Sequence, residues 1–204
     1  MLHRILSIPA IFAGLALMMQ AHAAAPSNEF LAKLLGSRLH RQGNMFACFS
    51  RQYDETHLAA HPSQRVTFMK VLIDAFFRED SFSPGTGMHS YQVSLAFRFR
   101  DLTETLTGVA ECGDATRRDS IPGGARCAGP GASSHLAMSG SDTLVVTIRD
   151  GADLWMPGPV DQRHETVKNP FGPDDKVFLL LRTNLSECED LAFDRQKPLR
   201  AYEP

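Results

Sequence analysis

The strongest periodic signal in the chain lies over Tyr91–Arg100, where Tyr91, Val93, Leu95, Phe97 and Phe99 interleave with Gln92, Ser94, Ala96, Arg98 and Arg100. Successive side chains of a strand point to opposite faces, so this period of two predicts a strand whose odd-numbered face is core. Val66–Phe77 is apolar on both alternating faces except at Lys70 and Asp74, which predicts a strand buried on one side and partly on the other. Leu106–Cys112, Ser134–Met138, Thr143–Ile148 and Lys176–Arg182 are further candidate strands. Ser81–Met88, Asp119–Pro130, Ser139–Asp142 and Pro157–Pro173 carry the Gly, Pro and Ser of turns and loops. Helical spacing is confined to two places. Phe30, Leu31, Leu34 and Leu35 recur within Asn28–Leu39 behind a Ser27-Asn28 cap, and Asp54–His61 offers two turns with Asp54 as cap and Pro62 as terminator. Met45–Ser50 is a short apolar stretch between them. Roughly six or seven short strands joined by brief loops, without the crossover helices that parallel pairing needs, predict a mainly β fold. The expected architecture is a small antiparallel β-sandwich or barrel with one or two short N-terminal helices.

The start of the chain follows a different pattern. Met1–Arg4 is a short basic beginning, Ile5–Met19 is apolar except for Ser7, Pro9 and Gly14, and Ala21-His22-Ala23 sets small residues at the −3 and −1 positions of a signal-peptidase site. This predicts a signal peptide over residues 1–23, followed by a single β-rich domain over 24–204 with an irregular C-terminal tail, located in the periplasm or secreted. The apolar run is short for a membrane span, and no later stretch approaches the roughly 20 residues required, so no span is expected after processing. Processing removes Arg4 and no acidic residue, taking the formal net charge one unit below the −2 of the whole chain. Such a balance offers no electrostatic footprint for nucleic acid.

Export changes the reading of the four cysteines, because an even set in an oxidising compartment is expected to pair. Cys112 ends one strand candidate and Cys127 lies beyond a Gly- and Pro-rich excursion, so a bridge between them would close a loop of about 15 residues. Cys48 and Cys188 then pair by elimination, while the sequence leaves the other two connectivities open.

Several segments resemble a group of small exported bacterial proteins that has no assigned activity. They are Cys48–Thr67 (CFSRQYDETHLAAHPSQRVT), the strand Ser94–Arg100 (SLAFRFR), the pair Cys112 and Cys127 around a loop, and Asp174–Arg182 (DDKVFLLLR) ending near Cys188. In that group an acidic Gly-rich segment follows the second cysteine of the loop; here Cys127-Ala128-Gly129-Pro130-Gly131 keeps the glycines without the acid. The resemblance implies compartment and architecture and carries no catalytic residues.

Candidate chemistry gathers around the second helix. His57 and His61 are four apart and share a helical face, a spacing suited to zinc or copper. The segment His-Leu-Ala-Ala-His lacks the Glu of a helical zinc-hydrolase motif, and a third ligand would have to come from His89, His135 or His164. The alternative is that both histidines cap or pack the helix. Tyr53, Asp54, Gln64 and Arg65 flank them as either a binding corner or a structural clamp, in which Asp54 caps, Arg65 forms an ion pair and Tyr53 bonds to backbone. Asp174-Asp175 has turn composition, and Arg98, Arg100 and Arg182 could form a cationic patch for acidic glycans or phosphate. The chain has no Cys-x-x-Cys, Gly-x-Ser-x-Gly or phosphate-cradling glycine loop. These observations predict a non-catalytic envelope domain that binds a protein or glycan, with a metal-binding protein or metal-dependent enzyme using His57 and His61 as the alternative. At this size, small disulfide-stabilised barrels that inhibit lysozymes are an analogy of architecture alone.

Overall fold

A computed structural model describes residues 28–36, 39, 41–83, 85–113, 124–129, 132–156, 165–192 and 199. The expected signal peptide and its cleavage point lie outside the described residues, as do His164 and part of the Asp119–Pro130 and Pro157–Pro173 segments. The elements run α1 (Asn28–Leu35), β1 (Asn44–Gln52), α2 (Glu55–Ala60), β2 (Val66–Glu79), β3 (Gly87–Phe99), β4 (Leu106–Gly113), β5 (Gly124–Gly129), β6 (Ala132–Met138), β7 (Thr143–Ala152), β8 (Leu154–Trp155), β9 (Thr166–Val167) and β10 (Val177–Thr183). A 3-10 helix over Leu185–Leu191 follows, and of the expected irregular C-terminal tail residues 193–198 and 200–204 lie outside the described residues.

Eight strands close on themselves in the order β3-β2-β1-β10-β7-β6-β5-β4, with β4 returning to β3. Every pairing in the circuit is antiparallel, and β8 and β9 are appended to β4 through Thr107↔Trp155. The barrel alternative is therefore the correct one, and closure removes the unpaired edges that an open sandwich leaves. Four strands depart from the sequence reading. Met45–Ser50 lies within β1, Gly124–Gly129 forms β5 inside a stretch read as loop because of its glycines and proline, and the two-residue β8 and β9 fall where no strand was expected, β9 within the Pro157–Pro173 loop.

The interior is an apolar, filled core. Met45, Ala47 and Phe49 from β1, Met69, Val71, Ile73 and Ala75 from β2, and Tyr91, Val93, Leu95, Phe97 and Phe99 from β3 are all buried in it. A register shift between Val66 and Phe68 lets both Val66 and Met69 face inward and turns Phe68 to the outer wall. One end is covered by α1, whose Phe30, Leu31, Leu34 and Leu35 join the core. Arg182 at the end of β10 fixes it there: the guanidinium donates to the carbonyls of Lys33 and Leu34, orphan acceptors of the helix C-terminus, and stacks over Phe49 at 4.6 Å. Gly36, at φ +69°, ends the helix in the left-handed conformation beside that guanidinium. The opposite end is filled by the rings of Phe97, Phe99, Phe171 and Phe178, packed at centroid distances of 5.2–6.5 Å.

The outer wall is mostly polar, with Asn44, Ser50 and Gln52 on β1 and Gln92, Arg98 and Glu111 on β3 and β4. This sidedness is the reverse of a lipid-facing barrel, and among the described residues no helix is long and apolar enough to cross a membrane. Two apolar areas interrupt the wall. Val177, Leu179 and Leu181 form an exposed line along β10. The other is covered: Cys48, Leu72 and Ala96 point outward from β1, β2 and β3 and are buried beneath Cys188, Leu191 and Ala192 of the C-terminal segment. The even-numbered face of β3 is thus half core, contrary to the one-sided expectation. The 3-10 helix is held there by the Cys48–Cys188 disulfide, with a Cα–Cα distance of 5.9 Å, while Cys112–Cys127 joins directly opposed residues of β4 and β5. Two disulfides are the cross-links of an oxidising compartment.

Candidate functional site

Two places on the barrel concentrate polar side chains. The first is the corner around α2. Asp54 caps the helix by accepting the His57 backbone N–H at 2.7 Å. Gln64 is buried and donates through Nε2 to the Val66 carbonyl at 2.8 Å, which leaves its Oε1 to accept from His57 Nε2 at 3.0 Å. Tyr53 is buried with its ring 4.7 Å from His57, and burial raises its phenol pKa, against the lowering effect of Arg51, whose guanidinium lies 4.9 Å from the ring. Arg65 pairs with Asp101, and that hydrogen bond lowers the Asp101 carboxyl pKa. Arg100 donates to the carbonyls of Leu58 and His61 at the end of α2.

Asp175, read from sequence only as part of a turn, is the centre of this corner. Its buried carboxylate accepts N–H bonds from Arg65 at 2.9 Å, Val66 at 3.2 Å and Gly172 at 2.8 Å, joining the start of β2 to the segment before β10. Gly172 is required beside it, since a Cβ there would stand 2.0 Å from the Ser63 carbonyl oxygen. Tyr53, Asp54, His57 and Gln64 are therefore brought together around α2, whereas the Arg65 side chain pairs with Asp101 and its backbone N–H with Asp175. The histidine rings face each other at 4.5 Å, and a metal at His57 Nε2 would displace the Gln64 bond. His89 pairs with Phe77, roughly 35 Å along β2 from Val66 at ordinary strand rise, and His135 is buried on β6. Among the described residues no group of three or more His, Cys, Asp or Glu is placed to hold a metal.

The second place is a groove of about 420 Å³ on the outer wall, lined by Phe68, Lys70, Arg98, Thr105, Thr107, Asp190 and Leu191. Strand pairing explains the grouping. Phe68 stands opposite Arg98, Lys70 opposite Ala96, and Ala96 opposite Thr107, so one outward row crosses β2, β3 and β4. Ala96 in the middle of that row has no bulk to fill it, and the 3-10 helix supplies the facing wall with Asp190 and Leu191. The Lys70 side chain is 13% exposed; its Nζ pairs with Asp190 and donates to the Glu187 carbonyl at 3.0 Å. Arg98 lies 4.3 Å from the Phe68 ring centroid and donates to the Gln52 amide oxygen at 2.8 Å.

No family model, curated protein or solved structure matches the chain. Its chemistry must accordingly be read from the geometry. The three arginines of the expected cationic patch do not converge: Arg182 serves α1, Arg100 serves α2 and Arg98 lines the groove. Lys70, Thr105, Thr107 and Asp190 were missed as site residues. The signal that could have found Lys70 is its interruption of the apolar β2 pattern, on the same outward row as Arg98 of β3, but locating the opposite wall requires the Cys48–Cys188 link.

Proposed function

We propose that this protein is a non-catalytic binding domain of the bacterial envelope, exported to the periplasm or beyond, and that the groove between the barrel wall and the 3-10 helix is its binding surface. The observation that carries this reading is the groove itself, a recess of about 420 Å³ in which charged, hydroxyl and aromatic side chains line one concave surface. That volume lies within the range of small-ligand sites, and mixed polar and apolar lining is what such sites use to orient a bound group. The disulfides and the signal-like N-terminus support the compartment. The resemblance to small exported bacterial proteins supports it too.

Fractionation with N-terminal sequencing tests export: a chain beginning near Ala24 in the periplasm or medium supports it, and one beginning at Met1 in the cytoplasm rejects it. Saturable co-sedimentation of the purified protein with envelope polysaccharide or envelope protein fractions tests binding. Stoichiometric zinc or copper in that protein, lost on changing His57 and His61 to Ala, would replace this reading with the metal-dependent one.

A further inference from the structure

We propose that the groove binds a carboxylate-bearing sugar, with Arg98 receiving the carboxylate and Thr105, Thr107 and the Lys70–Asp190 pair receiving ring hydroxyls; this rests on the assignment of the groove as the binding surface. Arg98 is the decisive residue. Among the described residues Lys70 has a carboxylate partner in Asp190, whereas the Arg98 guanidinium makes one side-chain bond, to a neutral amide, and no ion pair. A guanidinium has five N–H donors in a planar fork, so among the described residues most of that donor capacity is uncommitted. Its plane is held by the Phe68 ring and the Gln52 bond, which preorganises the fork for bidentate contact with a planar anion.

The rest of the lining selects among anions. Thr107 donates its hydroxyl to the Trp155 carbonyl at 3.3 Å and so offers its oxygen lone pairs to the groove as acceptors. The Lys70 ammonium of the barrel wall and the Asp190 carboxylate of the facing 3-10 helix, the latter 62% exposed, place a donor and an acceptor side by side across the groove. Alternating donors and acceptors around a recess with apolar lining at Phe68 and Leu191 match a polyhydroxylated ring. An extended acidic peptide fits less well. It gains most of its affinity on a sheet by adding a strand to an open edge, and β2, β3 and β4 are each paired on both sides.

The experiment is calorimetric titration of the purified protein with an oligogalacturonate, with its neutral oligogalactose counterpart, and with an oligoglutamate peptide. Expected is saturable binding of the oligogalacturonate and binding about tenfold or more weaker for the neutral sugar, the loss of one charge-assisted pair. Arg98→Lys, which keeps the charge and removes the fork, should weaken oligogalacturonate binding about tenfold. Arg78→Gln, an exposed cation at the far end of β2, should leave it unchanged. Thermal melting of both variants at the parent temperature excludes misfolding as the cause. The proposal is overturned if Arg98→Lys binds like the parent, if Arg78→Gln weakens binding equally, if oligoglutamate is preferred, or if none of the three binds. In each of those cases, saturable binding to an envelope fraction would leave the broader reading standing.

Discussion

Removing the Cys48–Cys188 disulfide should destabilise the protein more than removing Cys112–Cys127, by an amount set by loop length. The first bridge spans 140 residues and the second 15. In the chain-entropy model these loops restrict the unfolded chain by about 5 and about 3 kcal/mol at 25 °C. The shorter loop lies inside the longer one, but shortening the latter by some 15 residues hardly changes a logarithm. All four cysteines are buried, so the double variants Cys48→Ala/Cys188→Ala and Cys112→Ala/Cys127→Ala lose similar side-chain packing at the cysteines themselves, and the loop contribution sets the lower bound of their difference. The native state adds to it in the same direction, because Cys48–Cys188 also anchors the 3-10 helix over Leu72 and Ala96. Urea unfolding of protein recovered from an oxidising compartment should show the long-range variant about 2 kcal/mol less stable than the local one. Its denaturant slope should rise more, since the freed unfolded chain exposes more surface. A local variant that costs as much or more, or equal slopes, would refute the reasoning.

Other changes test other parts of the fold. Phe97→Ala removes a fully buried ring from the aromatic end of the barrel and should cost about 3–5 kcal/mol by denaturant titration. Ala96→Ser, which a one-sided strand would tolerate, should cost about 1–3 kcal/mol because the hydroxyl is buried beneath the 3-10 helix; parent-like stability would mean that the helix does not pack there. Arg182→Ala should lose roughly 1–2 kcal/mol through the uncapped end of α1, with loss of helix signal at lower temperature than the main transition. Burial raises the Asp74 pKa above the ordinary carboxylate value, against the bond from Asn44. The folded state therefore holds that proton more tightly than the unfolded state, and the associated stability is present below the unfolded value and lost as pH rises through the folded one. Asp74→Asn should accordingly gain stability relative to the parent near neutral pH and no advantage at strongly acidic pH. A difference independent of pH would count against the assignment.

The barrel was legible where one physical rule acted alone. The odd-numbered residues of β3 face the core because period-two alternation leaves no other choice once one face is buried. Asp54 and Pro62 bracket α2 because capping and the missing proline N–H act within a few residues. What escaped was set by contacts distant in sequence. β5 has the glycine content of a loop, yet Gly124–Gly129 pairs with both β4 and β6, and a Cβ at Gly129 would stand 2.2 Å from the Val109 carbonyl oxygen. The glycine is there to let two backbones approach. Asp175 has the composition of a turn residue, and its role depends on the N–H groups of Arg65 and Val66, 110 and 109 positions earlier.

The candidate site shows the same division in sharper form. A closed barrel can present a recess only at its ends or on its wall, and here α1 covers one end and the aromatic cluster around Phe97 fills the other. The wall of such a barrel is convex unless something stands against it. Alternation over β3 tells which residues face outward but nothing about what covers them, so Ala96 and Arg98 read alike until Leu191 is placed over the first and beside the second. The element that makes the wall concave is thus the 3-10 helix, and the bond that puts it there is Cys48–Cys188. The groove and a large part of the entropic stabilisation then depend on one covalent link. Reduction should abolish the recess before it opens the barrel, because β1, β2 and β3 remain paired through backbone bonds that the disulfide does not make.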